Sequence, residues 1–169
     1  MSIEYHFAKI MELLGLDLND PSLAKTPARV AKMYEEEVFT GLVPDNFPDI
    51  SLIPWESTQE ITVHDISFVS FCEHHFLPMY GKTTVSYVPN GSILGLGTIH
   101  QVVHHFANRP QLQERLTDQI ARTLANALST EVVVNVIAEH SCVRARGVRD
   151  KNSLFETTSC CPSPVEVDG

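Results

Sequence analysis

Over residues 3–14 apolar side chains recur at intervals of three and four, the spacing that lines up one face of an α-helix, until a turn region at 17–22 with its Asp20-Pro21 pair interrupts it. Thr26-Pro27 then reads as an N-cap followed by proline at the first helical position. Val30, Met33, Tyr34 and Val38 continue as an apolar stripe that stops at Gly41. Residues 42–58 are rich in proline and polar side chains and keep neither period, which predicts an irregular connection. Beyond it the period falls to two. Residues 60–71 and 81–88 alternate and are rich in β-branched and aromatic side chains, so they predict two strands, with the loop CEHHFLPMY between them. Gly95-Leu96-Gly97 introduces a helix over 98–108. Another helix starts at Pro110 and carries Leu112, Leu116, Ile120 and Leu124 four residues apart. The run VVVNVIAEH from Val132 predicts a strand, 146–153 a turn and 154–159 a last strand. The order ααββααββ predicts an α+β fold in which helices pack on a sheet.

Composition narrows the function. A chain of 169 residues, 43% hydrophobic and 20% charged, is long and apolar enough to bury one core. Its formal net charge of −9 argues against a nucleic-acid partner, so any anionic substrate has to meet a local cluster of basic residues. The first residues carry acidic groups and lack both a basic start and a continuous apolar run. They predict neither a signal peptide nor a membrane span, hence no membrane partner and a cytoplasmic location. In that reducing setting the four cysteines point to metal binding or free thiols, and adjacent Cys160 and Cys161 have poor geometry for pairing with each other.

Cys72-Glu73-His74-His75 sits where the first strand ends, and C-x-x-H spacing lets a thiolate and an imidazole reach one ion from a short loop. His140-Ser141-Cys142 ends the strand from Val132, where residues two apart point to the same face. Thiolate and imidazole together suit zinc, and only three protein ligands leave a fourth position for water, whose pKa the ion lowers to about 7. Taken singly, a cysteine is more often a small buried hydrophobe and a histidine a satisfied polar residue. A closed, structural four-ligand zinc is the competing use of the same residues.

The stretches CEHHFLPMYGK, RPQLQERLTDQIA and AEHSCVRARGVRD resemble the three signature regions of the GTP cyclohydrolase I family, and TPARVAKMYEEEVFTGL is similar to its second helix. The match runs in order through nearly the whole chain. The resemblance implies Zn²⁺ on Cys72, His75 and Cys142, with His74 and His140 as the active-site histidines. It implies hydrolytic opening of the guanine imidazole ring at C8, loss of formate, and ring closure to dihydroneopterin triphosphate. Gln113 and Glu114 fall on the pair that reads the guanine, where a carboxylate accepting from the purine N–H groups rejects bases lacking those donors. It also implies a tunnelling fold: a four-stranded antiparallel sheet with helices on one face, assembled into a ring-shaped homo-oligomeric barrel, a decamer of two pentameric rings with active sites between subunits. On this basis 1–41 is an N-terminal helical segment, 42–159 the catalytic domain and 160–169 a C-terminal tail.

The chain departs from the family at the triphosphate. Where the family has Ser-Lys and an arginine three residues beyond the lysine, this sequence has Gly97, Thr98 and Gln101, so two cations are missing. Two charge-assisted hydrogen bonds amount to ~3 to 6 kcal/mol as an upper guide. Arg29, Lys32 and Arg146 still match basic residues that approach the phosphates. The substrate is therefore GTP with a rebuilt phosphate site, or a purine or pterin compound with fewer phosphates. A noncatalytic paralogue that binds a pterin or an active partner is the third possibility. His100 and His104 have the i, i+4 spacing that can bind metal, but with no third ligand nearby they and His105 read as a polar helix face.

Overall fold

The computed structural model describes residues 1–162. Helix α1 spans Ile3–Leu13, and the Ser2 side chain caps it by accepting from the Tyr5 amide at 3.2 Å. Helix α2 spans Thr26–Lys32 and differs from expectation at its start. The cap position is Lys25, without a side-chain cap bond, and Thr26 lies inside the helix with Pro27 in its first turn. From Met33–Val38 the winding widens to a π-helix, followed by a 3-10 turn at Thr40–Leu42. Gly41 ends this segment for a steric reason. Its amide donates to the Asn108 carbonyl at 2.9 Å, and a Cβ there would lie 2.1 Å from the His105 carbonyl oxygen.

The four long strands form the antiparallel sheet that the resemblance implied. They are β2 (Ile61–Cys72), β3 (Pro78–Tyr87), β6 (Val132–His140) and β7 (Phe155–Cys161), hydrogen-bonded in that order. Strand β3 begins three residues before the alternation suggests, with Pro78 at its first position, where the missing N–H is tolerated. Two features escaped the periodicity. A two-residue strand β5 (Pro110–Gln111) runs parallel to the end of β2, pairing with Phe71 and Cys72. In the stretch expected to be irregular, β1 (Leu52–Pro54) pairs with β4 (Ser92–Leu94) as a separate ribbon. Strands this short have no period to read.

Helices α3 (Leu96–Ala107) and α4 (Gln113–Leu128) pack on one face of the sheet. The core alternates down β6, where Val132, Val134, Val136 and Ala138 point inward and meet Ile99, Val103, Leu116, Ile120 and Leu124 from the helices. The other face stays open, with Val69, Tyr80 and Ile137 between 38% and 47% exposed. Strand β7 runs on through Cys160 and Cys161, which pair in register with Val133 and Val132, and both thiols are free. The rest of the expected tail, 163–169, lies outside the described residues. Among the described residues no helix is long and apolar enough to cross a membrane.

His105 ties α3 to the segment that follows Gly41. Its Nδ1 meets the Asn46 carbonyl at 3.2 Å and its Nε2 meets Arg109 Nη2 at 2.6 Å. An arginine only donates, so Nε2 accepts, Nδ1 donates to Asn46, and the ring is neutral. Burial, and then the Arg109 charge, hold its pKa below the usual histidine value. A group with a depressed folded pKa of this type binds protons more readily when unfolded. Its contribution is complete above the unfolded value of about 6.5 and is lost as pH falls below it. The urea midpoint is expected to drop between about pH 6.5 and 5, and His105→Gln should flatten that part of the profile; an unchanged slope would remove His105 as its source.

Candidate metal centre

The loop after β2 is a tight turn closed on both sides of one residue. The Phe76 amide donates to the Cys72 carbonyl at 2.8 Å, and the Cys72 amide donates to the Leu77 carbonyl at 2.9 Å. To make this turn Phe76 adopts a left-handed φ of 53°, which costs an L-residue about 1–2 kcal/mol. Aromatic packing offsets that strain. The Phe76 ring stands edge-on to Tyr34 at 6.5 Å and to Phe39 at 5.8 Å, and Phe39 in turn meets Phe71 at 5.3 Å. The N-terminal helical segment thus clamps the loop so that Cys72 is buried while His74 and His75 stand at an exposed tip.

The sheet brings the second half of the site to the same place. The β3–β6 register ends at Met79 opposite His140, and the chain then turns directly into the short helix α5 (Ser141–Arg144), which presents Cys142. The candidate ligand atoms of Cys72, His75 and Cys142 all lie within 4.8 Å of one another, the one such His/Cys/Asp/Glu group among the described residues. Cys72 Sγ is 3.9 Å from His75 Nδ1. Ligand atoms around a tetrahedral zinc stand roughly 3.5–3.8 Å apart, given Zn–S near 2.3 Å and Zn–N near 2.0 Å, so this donor set fits that ion after a shift of about an ångström. Burial and the neighbouring Cys72 sulfur push the Cys142 thiol up from its usual pKa. Two thiols this close need a cation between them to ionise together.

Near the three converging residues stand others singled out from sequence. His74 Nδ1 is 3.8 Å from Cys72 Sγ, yet His74 is not part of the converging group. His140, half-buried, has its pKa held below the usual value by desolvation, an effect that the nearby Glu114 carboxylate opposes. Arg146 Nη1 approaches His75 Nε2 at 2.7 Å. Glu73 is paired with Arg115 at 2.6 Å, which braces the loop against the start of α4 and holds the Glu73 carboxyl below its usual pKa. Gln113 is 3% exposed, and its amide nitrogen is already committed to protein acceptors. What its side chain can offer a substrate is at most a lone pair of Oε1. Thr117 and Thr157, which line the same network, and Arg115 were not singled out. The available signal was Thr117, a polar residue one turn beyond Gln113 on the buried face of α4.

The basic residues are more dispersed. Arg29 and Lys32 lie exposed on α2, and Lys32 faces Glu36 at 3.9 Å. At the start of α3, Gly97 and Gln101 are exposed while Thr98 is buried, so the first turn of that helix presents no cationic side chain. The imidazole of His100 turns back onto its own helix, with Nδ1 2.8 Å from the Leu96 carbonyl. A hollow of about 790 Å³ on the sheet's open face includes Val69, Tyr80, Ile137 and Leu154 and none of the metal-centre residues.

Comparison with known proteins gives the family of the chain. A profile of the GTP cyclohydrolase I family matches residues 3–163. GTP cyclohydrolase 1 of Hamiltonella defensa subsp. Acyrthosiphon pisum is 52% identical over 160 residues, covering 93% of this chain and 73% of that one. GTP cyclohydrolase 1 of Yersinia enterocolitica is 50% identical over the same length and coverage. Among solved structures, the archaeosine synthase QueF-Like in its apo form superposes with a TM-score of 0.52 at 17% identity, over 65% of this chain and 99% of that one, a likeness of fold. With half its residues shared across 93% of its length, the chain belongs to the GTP cyclohydrolase I family and is a hydrolase of that type.

Proposed function

We propose that this protein is a zinc-dependent GTP cyclohydrolase that opens the guanine ring at C8, releases formate and yields dihydroneopterin triphosphate. The observation that carries the zinc assignment is the convergence of Cys72, His75 and Cys142 from two distant segments to within 4.8 Å. Zinc bound there supplies an activated water near neutral pH. Cys72 and Cys142 contribute thiolates and His75 an imidazole nitrogen. With Nδ1 as the ligand, the His75 ring proton sits on Nε2, which frees Arg146, a group that only donates, to meet a substrate oxygen. His140, whose charged form burial disfavours, moves protons at the reacting ring, and the exposed His74 serves beside it. Glu114 accepts from the purine N–H groups with Gln113 behind it, while Arg29, Lys32 and Arg146 receive the phosphates.

The assembly is a homo-oligomeric ring, a decamer of two pentamers, with the active site completed across a subunit boundary. Three observations support it. Both outer edges of the sheet, along most of β2 and along β7, are open to a further strand. The tip that carries His74 and His75 is exposed in a single chain, and Arg29 and Lys32 need a surface opposite them.

Purified, zinc-loaded protein given GTP, GDP, GMP and guanosine in parallel is expected to release formate, with growth of the pterin ultraviolet band, most efficiently from GTP. A preference for a less phosphorylated compound would favour the second reading, to which Gly97, Thr98 and Gln101 point. No formate from any of the four would leave a noncatalytic pterin-binding or partner subunit.

A further inference from the structure

The hydrogen atoms around Gln113 can be assigned by elimination. Thr117 Oγ1 lies 2.8 Å from the Gln113 carbonyl, an acceptor only, so Thr117 donates there. Thr157 Oγ1 is 2.6 Å from Thr117 Oγ1, and with the Thr117 hydrogen committed it is Thr157 that donates. The Thr157 oxygen is then left as an acceptor for Gln113 Nε2 at 3.2 Å. The same nitrogen reaches the carbonyls of Val136 at 3.1 Å and Phe155 at 3.0 Å. Turning the amide over would set its oxygen against two carbonyl oxygens, so only one orientation of Gln113 is compatible with its surroundings. Oε1 therefore points at His140 Nε2, 2.8 Å away, and has nothing to donate.

We infer that Gln113 is a positioning residue that holds His140 in the tautomer protonated at Nε2, leaving Nδ1 as the ring's proton acceptor. This rests on the proposed role of His140 in proton transfer. The chain of constraints begins in two backbone carbonyls, on β6 and β7, and ends on the imidazole. The partner on Nε2 is a neutral amide rather than a carboxylate. It fixes the ring's direction and tautomer without the added basicity that a carboxylate partner would bring.

The test uses the zinc-loaded enzyme labelled with ¹⁵N in its histidine rings and sedimented for solid-state NMR at pH 8, with the His140 signals identified by their loss in His140→Gln. The expected spectrum has the His140 hydrogen on Nε2. A hydrogen on Nδ1 would overturn the inference, whatever the activity. Gln113→Met is expected to lower kcat for formate release by ~10 to 100-fold with KM little changed, the size typical of losing an orienting partner of an active-site imidazole, and to mix the tautomers. Thr157→Val, which keeps shape and loosens only the amide, should act in the same direction with a smaller effect and covers the case in which the methionine variant fails to fold. A raised KM with kcat retained would make Gln113 a base-reading residue and overturn the positioning role. If the wild-type enzyme gives no formate, the cyclohydrolase reading fails by itself, and the NMR result still decides the tautomer.

Discussion

Replacing Cys142 by serine is expected to remove metal and activity together. Zinc measured by atomic absorption should fall from about one per chain to near zero, since a neutral hydroxyl replaces one of the two thiolates and leaves a pair of donors on one loop. Turnover should fall by at least ~10³, because without the ion the nucleophile is ordinary water, far less acidic than zinc-bound water with its pKa of about 7. The fold should survive in this variant. Cys142 lies in the four-residue helix α5, outside the buried core that α3, α4 and the sheet build without it. A Cys142→Ser protein that keeps its zinc would mean that the ion sits elsewhere. One that loses zinc and keeps full formate release would mean that the ion is structural.

Exchanging the two proposed proton carriers should separate their roles. His140→Ala is expected to keep zinc and to lose ~10² to 10⁴ in kcat, the range for removing a positioned general acid–base group. His74→Ala should fall in the same range with a different partition, because His74 is exposed in the single chain while His140 is half-buried and hydrogen-bonded. A product analysis distinguishes them from a general loss of fit. If either variant stops after ring opening, a formylated intermediate accumulates, and that histidine belongs to the later step. Normal kcat in His140→Ala would leave its hydrogen bond to Gln113 a purely structural feature.

Most of the sheet was legible in the sequence because its strands are long enough to show alternation. The stretch VVVNVIAEH is β6 residue for residue, and its inward set is the even one, Val132 to Ala138. The three converging residues, Cys72, His75 and Cys142, were legible because short Cys/His patterns mark the ends of the two segments that carry them. Tertiary constraints hid the rest. Residues 33–41 keep an apolar stripe, yet the winding widens at Met33 and the segment stops where Gly41 meets the backbone of α3. The ribbon of β1 and β4 joins segments about forty residues apart, each too short to carry a period. The role of Gln113 was hidden for another reason. A glutamine followed by a glutamate at a helix start resembles a base-reading pair, and only packing against β6 and β7 reveals which of its atoms are already engaged.

The register that sets His140 opposite Met79 also fixes when the proposed metal site can form. Cys72 and His75 are neighbours in any conformation of the chain, but Cys142 joins them only after β3 and β6 have aligned along nine residue pairs, Met79↔His140 to Tyr87↔Val132. Pairings between segments so far apart in the chain form late, because their loop-closure entropy has to be met first. The complete Cys72, His75 and Cys142 cluster therefore exists only in a nearly finished protein. With zinc as the proposed ion, the metal would meet a rigid triad instead of loose thiols on a nascent chain, and metal content would record how many chains have reached the native register.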